Sequence, residues 1–174
     1  KGNDMALSGD YHLKPDNQSV FDLAMDIRKL QMSALEAFSM GAITQGTGYI
    51  DGKIAIKGNI EQPDINGKLR FNKTGFSPAI LASLFSIDQQ SIAVNNEGIR
   101  FDNFIVRDSA KNALSINGMA YTTNFTNYRF EMDVLAENFQ ALNSAKQGDR
   151  LFYGQFYFDT DLHIAGTELK PVVD

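Results

Sequence analysis

In Gly52-Lys-Ile-Ala-Ile-Lys-Gly58-Asn-Ile-Glu-Gln-Pro63-Asp-Ile-Asn-Gly67-Lys-Leu-Arg-Phe71, the apolar residues Ile54, Ile56, Ile60, Ile65, Leu69 and Phe71 fall mostly two apart. Lysine, glutamate, arginine and asparagine stand between them. A period of two places alternate side chains on opposite faces, so the segment reads as strand, turn, strand with one apolar and one wet face. Gly58, Pro63 and Gly67 mark the points where the chain bends or leaves the ladder. Such a segment carries no reaction chemistry. It presents an apolar surface that something must cover.

Outward from it the same pattern recurs. Residues 5–13 alternate loosely, and Phe21, Leu23, Met25 and Ile27 alternate with Asp22, Asp26 and Arg28. Residues 29–40 change period and read as a short amphipathic helix ended by Gly41. Residues 76–87 read as a second helix, with Ser77 as N-cap and Pro78 in its first turn, although their spacing also permits a strand after the proline. Further strands are expected at 90–94, 99–106, 113–121 and around Tyr128, Phe130, Met132 and Val134. A loop or helical turn is expected over 138–148, then strands at 151–158 and 161–165 on either side of Thr160. The chain thus reads as mainly β, an antiparallel or mixed sheet with one or two short helices.

The two ends of the chain echo each other. Gly9 and Gly118, and likewise Phe21 and Phe130, are 109 apart, while Gly46/Gly154, Gly58/Gly166 and Pro63/Pro171 are 108 apart. This register predicts two related units, about 5–72 and 113–174, joined by 73–112 within one β-rich domain. Repeats of this kind bury their apolar faces against neighbours. The start at Lys1 and the stop in what reads as mid-strand suggest a fragment of a longer chain.

Composition narrows the chemistry. The 174 residues suit one domain. Thirteen Phe and six Tyr without Trp favour sheet. A net charge of −5, with acids and bases interspersed, gives no reason to expect nucleic acid. The absence of cysteine excludes disulfides, thiol catalysis and thiolate metal sites. No apolar run reaches the length of a membrane span. His12 and His163 lack partners at ligand spacing, and Asp159, Asp161 and His163 lack the glycine and distal glutamate of a calcium loop. Gly46-Thr-Gly48 and Gly48 to Lys53 fit neither a dinucleotide turn nor a P-loop, and no serine stands in a nucleophile elbow. Asn17, Asn72 and Asn124 open glycosylation-type triplets that arise often by chance. The acid pairs Asp102/Asp108 and Asp159/Asp161 read as surface charge. We expect no enzyme, no metal and no cofactor. With only two short helices for some ten strands, the sheet must curl on itself, stack on neighbours or hold a ligand.

Leu135-Ala-Glu-Asn-Phe139-Gln-Ala-Leu142, then Leu151-Phe-Tyr-Gly154, then Ile164-Ala-Gly-Thr167-Glu-Leu-Lys-Pro171 resemble the C-terminal region of the TamB family in the AsmA-like superfamily. Residues 48–71 resemble that family's Gly-strand-Gly-x-x-x-x-Pro-x-x-x-Gly-strand unit. Asp108 with Asn112-Ala-Leu-Ser-Ile-Asn-Gly118 resembles its Asp-x-x-x-Asn-x-Leu-x-x-x-Gly pattern. The resemblance implies a β-taco, a long sheet curled into a trough with an apolar interior. It implies a periplasmic segment of an inner-membrane-anchored protein in a diderm bacterium, touching the membrane through flanking regions. It implies an outer-membrane barrel assembly partner of the TamA or BamA type, with roles in outer-membrane protein assembly and phospholipid transport. The cargo would be phospholipid acyl chains or unfolded barrel strands. The candidate groove residues are then Ile54, Ile56, Leu69, Phe71, Phe101, Phe130, Met132, Val134, Phe156, Phe158, Leu162 and Ile164. The competing reading is a β-sandwich repeat, a spacer or adhesin segment whose core is closed and binds nothing.

Overall fold

The structure is a computed structural model that describes residues 2–13, 20–123, 127–144, 153–167 and 170–173. Strand β1 spans Asp4–His12 and β2 spans Val20–Gln31, followed by helix α1 at Met32–Phe38. Then come β3 (Ile43–Asn59), β4 (Pro63–Pro78), β5 (Phe85–Ile87), β6 (Gln90–Asn95) and β7 (Gly98–Arg107). The chain closes with β8 (Ala113–Thr123), β9 (Asn127–Ser144), β10 (Gly154–Thr167) and β11 (Lys170–Val173). All strands join one 11-stranded sheet in nearly sequential order. Every pairing is antiparallel, as hairpin connections dictate.

The short strands β5 and β6 lie end to end in a single slot between β4 and β7. β5 pairs with residues 74–76 of β4, and β6 with residues 66–71. Here the sequence expectation needs correction. Residues 76–87 form no second helix. Leu81 and Ala82 both donate to the carbonyl of Pro78, one helical turn, and Ala82 then takes φ 51, which ends it. Phe76 and Phe85 meet as a cross-strand pair instead. The expected break at 138–148 is likewise strand as far as Ser144, and residues 145–150 lie outside the described part. Thr160 does not divide two strands, because β10 runs through it. The first helix is shorter than 29–40 and covers Met32–Phe38.

The errors at 138–148 and at Thr160 share a cause. Lys73 (φ 47), Asn103 (φ 45) and Asn138 (φ 48) are bulge residues, at each of which the pairing register shifts. Each bulged N–H is taken by a side-chain oxygen of a neighbouring segment. Lys73 donates to Asp88 at 2.8 Å, Asn103 to Asn117 at 2.6 Å and Asn138 to Asp159 at 2.5 Å. A bulge bends its strand and sharpens the twist without ending the ladder, so polar interruptions here become corners. Glycine adds further bends. Gly52 (φ 155) and Gly118 (φ 125) hold conformations that L side chains avoid, and a Cβ on either would overlap the carbonyl oxygen of Lys68 or Glu131.

The outcome is a coiled sheet, and ring contacts measure the coiling. Phe85 of β5 stacks on Phe139 of β9 at 5.5 Å, although β7 and β8 lie between those strands. Three strand spacings in a flat sheet would separate them by roughly 14 Å. Phe76–Phe85, Phe85–Phe139, Phe139–Phe158 and Phe156–Phe158 form a chain of rings across the hollow. Leu81, Val106 and Leu114 pack against it. It lies at the end of the strands that carries α1, the turn 79–84 and the loop 108–112.

The two ends of the chain share one pairing register. Gly9 faces Leu23 as Gly118 faces Met132, and Phe21 faces Gly58 as Phe130 faces Gly166. Gly58 faces Pro63 as Gly166 faces Pro171. Gly46 and Gly154 differ: Gly154 has φ 115, whereas Gly46 sits against the backbone of Met32 without a positive φ.

Candidate functional site: the concave apolar face

Residues paired directly across strands point to the same face, so the register assigns every candidate side chain. One row runs Met5, Ile27, Gly52, Leu69, Ile92, Phe101, Gly118, Met132, Ile164. The next runs Leu7, Met25, Ile54, Gly67, Val94, Ile99, Ala120, Phe130, Gly166. A third joins Phe104, Ile116, Val134 and Leu162, a fourth Leu30, Ile50 and Phe71, and Ile56 pairs with Leu23. Phe158 pairs with Phe139 and Phe156 with Leu142 beyond the Asn138 bulge. The twelve residues read from the sequence therefore lie on one face.

Large residues fill the dimples that glycines leave. Leu69 Cδ2 lies 3.0 Å from where a Gly52 Cβ would stand, and Ile54 Cγ1 lies 2.9 Å from the equivalent point on Gly67. Phe104, edge-on to both Phe71 and Phe101 at 5.4 and 5.5 Å, ties β4 to β7. None of the twelve is fully buried: all are half-buried except Phe156, which is 55% exposed. At the β1 edge Met5, Leu7 and Tyr11 are exposed on the same face. The face is lined along its length, closed by rings at the α1 end, and only partly shielded elsewhere.

Sequence reading missed Met5, Leu7, Met25, Ile92, Ile99 and Phe104 as members of this face. The signal was partial, because Ala6, Ala24, Ala93 and Ile105 stand next to these residues and blur the alternation. The bulge at Asn103 then shifts parity just before Phe104, and a residue-by-residue count loses the face there.

The opposite face is charged. Arg28–Asp4 (2.6 Å), Lys57–Asp22 (3.0 Å) and Arg70–Asp51 (3.0 Å) pair across strands, and His163 meets Asp133 at 2.8 Å and Glu131 at 3.4 Å. The Asp133 hydrogen bond raises the His163 pKa above its ordinary value, with Glu131 adding to the effect. Exposed pairs of this kind add little stability, but they keep this face wet.

Asp108 has a structural role. It is 1% exposed and accepts hydrogen bonds from Gln140 N (2.9 Å), Asn112 N (2.9 Å) and Asn112 Nδ2 (3.0 Å). Burial alone would push its carboxyl up, yet these donations hold it below the usual carboxylate range. Gln140 continues the network to Tyr157 Oη (2.7 Å) and Ser109 (3.0 Å), and Asn112 to the carbonyl of Asn138 (2.7 Å). Asp159 is engaged by the Asn138 N–H. Among the described residues no three His, Cys, Asp or Glu side chains are placed to hold a metal ion. No helix among them is long and apolar enough to cross a membrane.

Fold and face together define a single-layer, coiled antiparallel sheet with a continuous, half-shielded apolar interior. No family model matches the chain, and no curated protein and no solved structure matches it.

Proposed function

We propose that this chain is a periplasmic segment of a TamB-like protein whose concave face shields acyl chains or client β-strands. Its work would serve outer-membrane protein assembly and phospholipid transport, beside a barrel assembly partner of the TamA or BamA type. The supporting observation is the register: twelve alternating apolar residues share one face and none is fully buried. Taking a long acyl tail from a bilayer costs about 0.8 kcal/mol per CH₂, on the order of 12 kcal/mol in all. A carrier that never exposes the tail needs a lined path, which two parallel rows of side chains supply. An unfolded barrel strand could pair instead with an edge of the sheet, where β1 ends the strand order.

A photo-crosslinker replacing Phe130 in the intact membrane-anchored protein tests this. Capture of phospholipid or of a barrel client at Phe130, but not at Asp133 on the opposite face, is the expected result. Failure to capture either at Phe130 and at Phe156 would leave only the closed scaffold. Met132→Asp, on a half-shielded face, should cost the fold about 1–2 kcal/mol while lowering capture at Phe130 much further.

A further inference from the structure

A cleft of about 900 Å³ opens beside β5, where the sheet is least complete. β6 pairs with β7 as far as Ile92–Phe101, and β5 meets β7 again only at Ser86–Arg107. Between those points the N–H of Ile105 is held by the Gln90 side chain at 3.2 Å. Three cations line the cleft: Lys73, Arg107 and Lys111. Among the described residues none of them forms an ion pair with a carboxylate. Three acids, Glu36, Asp88 and Asp108, share the lining, and each accepts hydrogen bonds from the backbone. Glu36 Oε2 accepts from Gly46 N (2.7 Å), Asp88 Oδ1 from Lys73 N (2.8 Å), and both Asp108 oxygens are filled.

A second observation points to a ligand. Thr74 lines the cleft and is 1% exposed, and its hydroxyl has no hydrogen-bond partner among the described residues. A buried hydroxyl left unpaired is costly, so such groups normally meet a partner. Leu84, Phe85 and Ile105 add apolar wall. The combination suits a small amphipathic anion.

We infer that this cleft binds a phosphate ester, its anionic oxygens on Lys73, Arg107 and Lys111 and an ester or hydroxyl oxygen on Thr74 Oγ1. As a lipid-headgroup site it rests on the function proposed above; as a phosphate-ester site it stands without it.

The test is amide NMR of the ¹⁵N-labelled chain titrated with sn-glycerol 3-phosphate, and separately with phosphatidylglycerol and phosphatidylcholine bicelles. Shifts should concentrate at residues 73–75, 84–88 and 105–111. The double variant Lys73→Glu/Lys111→Glu should weaken binding roughly tenfold or more. Thr74→Val should weaken it and Thr74→Ser should not, while Lys68→Glu on the outer face changes little. Binding of free glycerol phosphate marks a site for soluble esters, and binding only in phosphatidylglycerol bicelles marks a lipid headgroup. The inference is overturned if no probe shifts this set of amides, or if Lys68→Glu weakens binding as much as the double variant. Acyl capture at Phe130, measured in parallel, separates the two ideas. Lost capture with intact cleft binding removes the acyl function alone, and the reverse removes the cleft alone.

Discussion

Replacing Asp108 should damage the fold rather than any chemistry, and the cost can be built from its partners. Gln140 N is buried, and without the carboxylate it has no acceptor there. An orphaned buried donor costs about 1–3 kcal/mol. The two Asn112 donors lie nearer the surface and can turn to water, so each should cost only about 0.5–1 kcal/mol. Asp108→Ala should therefore destabilise by about 3 kcal/mol, a large share of the roughly 5–15 kcal/mol that such a domain has. Asp108→Asn keeps the shape and one acceptor oxygen and should cost about 2 kcal/mol. Urea unfolding followed by far-UV circular dichroism measures both, with Ser109→Ala as the mild control. The pH dependence is specific. A carboxyl held below its ordinary value stabilises the fold above that value, and the benefit is lost as pH falls through the lowered one. The gap between wild type and Asp108→Asn should be full at pH 7 and shrink below about pH 4. An Asp108→Ala variant within about 0.5 kcal/mol of wild type, or a gap that ignores pH, would refute the reasoning.

Other positions give shorter tests. Gly118→Ala should cost about 2–4 kcal/mol, since a Cβ meets the Glu131 carbonyl and φ 125 disfavours L residues; a neutral result in urea unfolding would mean the sheet is not bent there. Phe139→Ala removes a 4%-exposed ring stacked on Phe85 and edge-on to Phe158 and should cost about 3–5 kcal/mol. The same variant should also make the amides of β5 exchange faster, because the ring plug is what holds that short strand. His163 has its pKa raised by Asp133, so its small contribution is full below its ordinary value and fades as pH rises through the raised one. His163→Gln should remove that slope, visible in melting temperatures between pH 5.5 and 8, and a slope that persists would place its source elsewhere.

How far the sequence revealed this molecule depended on whether polarity marked an end or a corner. Strict alternation, as at Ile54–Ile56 or Phe130–Val134, located strands and the face they share. Residues 76–87 misled because Phe76, Leu81 and Phe85 recur at near-helical spacing, while they meet across a strand pair and a single turn. Around Asn138 the polar residues suggested a break, but Asp159 holds the bulged N–H and the strand continues. A local reading cannot see a carboxylate 21 residues away. The phosphate-ester cleft was invisible for the same reason: Lys73, Arg107 and Lys111 read as scattered charges until the incomplete slot at β5 gathers them.

On the proposed function, half-shielding of the apolar face has a direct consequence for exchange. A face packed as tightly as a protein core would have to break its own contacts to admit a hydrocarbon chain, at about 0.8 kcal/mol for each buried CH₂ given up. A fully exposed face of this length would associate with other copies. Side chains held between those limits by a coil of bulges and glycines lose little when a tail slides in, and regain it as the tail covers them. Eight covered methylenes return roughly 6 kcal/mol, which falls within the estimated 4–15 kcal/mol lost in immobilising a ligand. One tail on this segment alone would thus bind weakly and move readily along the rows. Tight binding would require the same rows to continue through adjoining units, so affinity for a tail should rise with the number of linked segments while any one of them releases it.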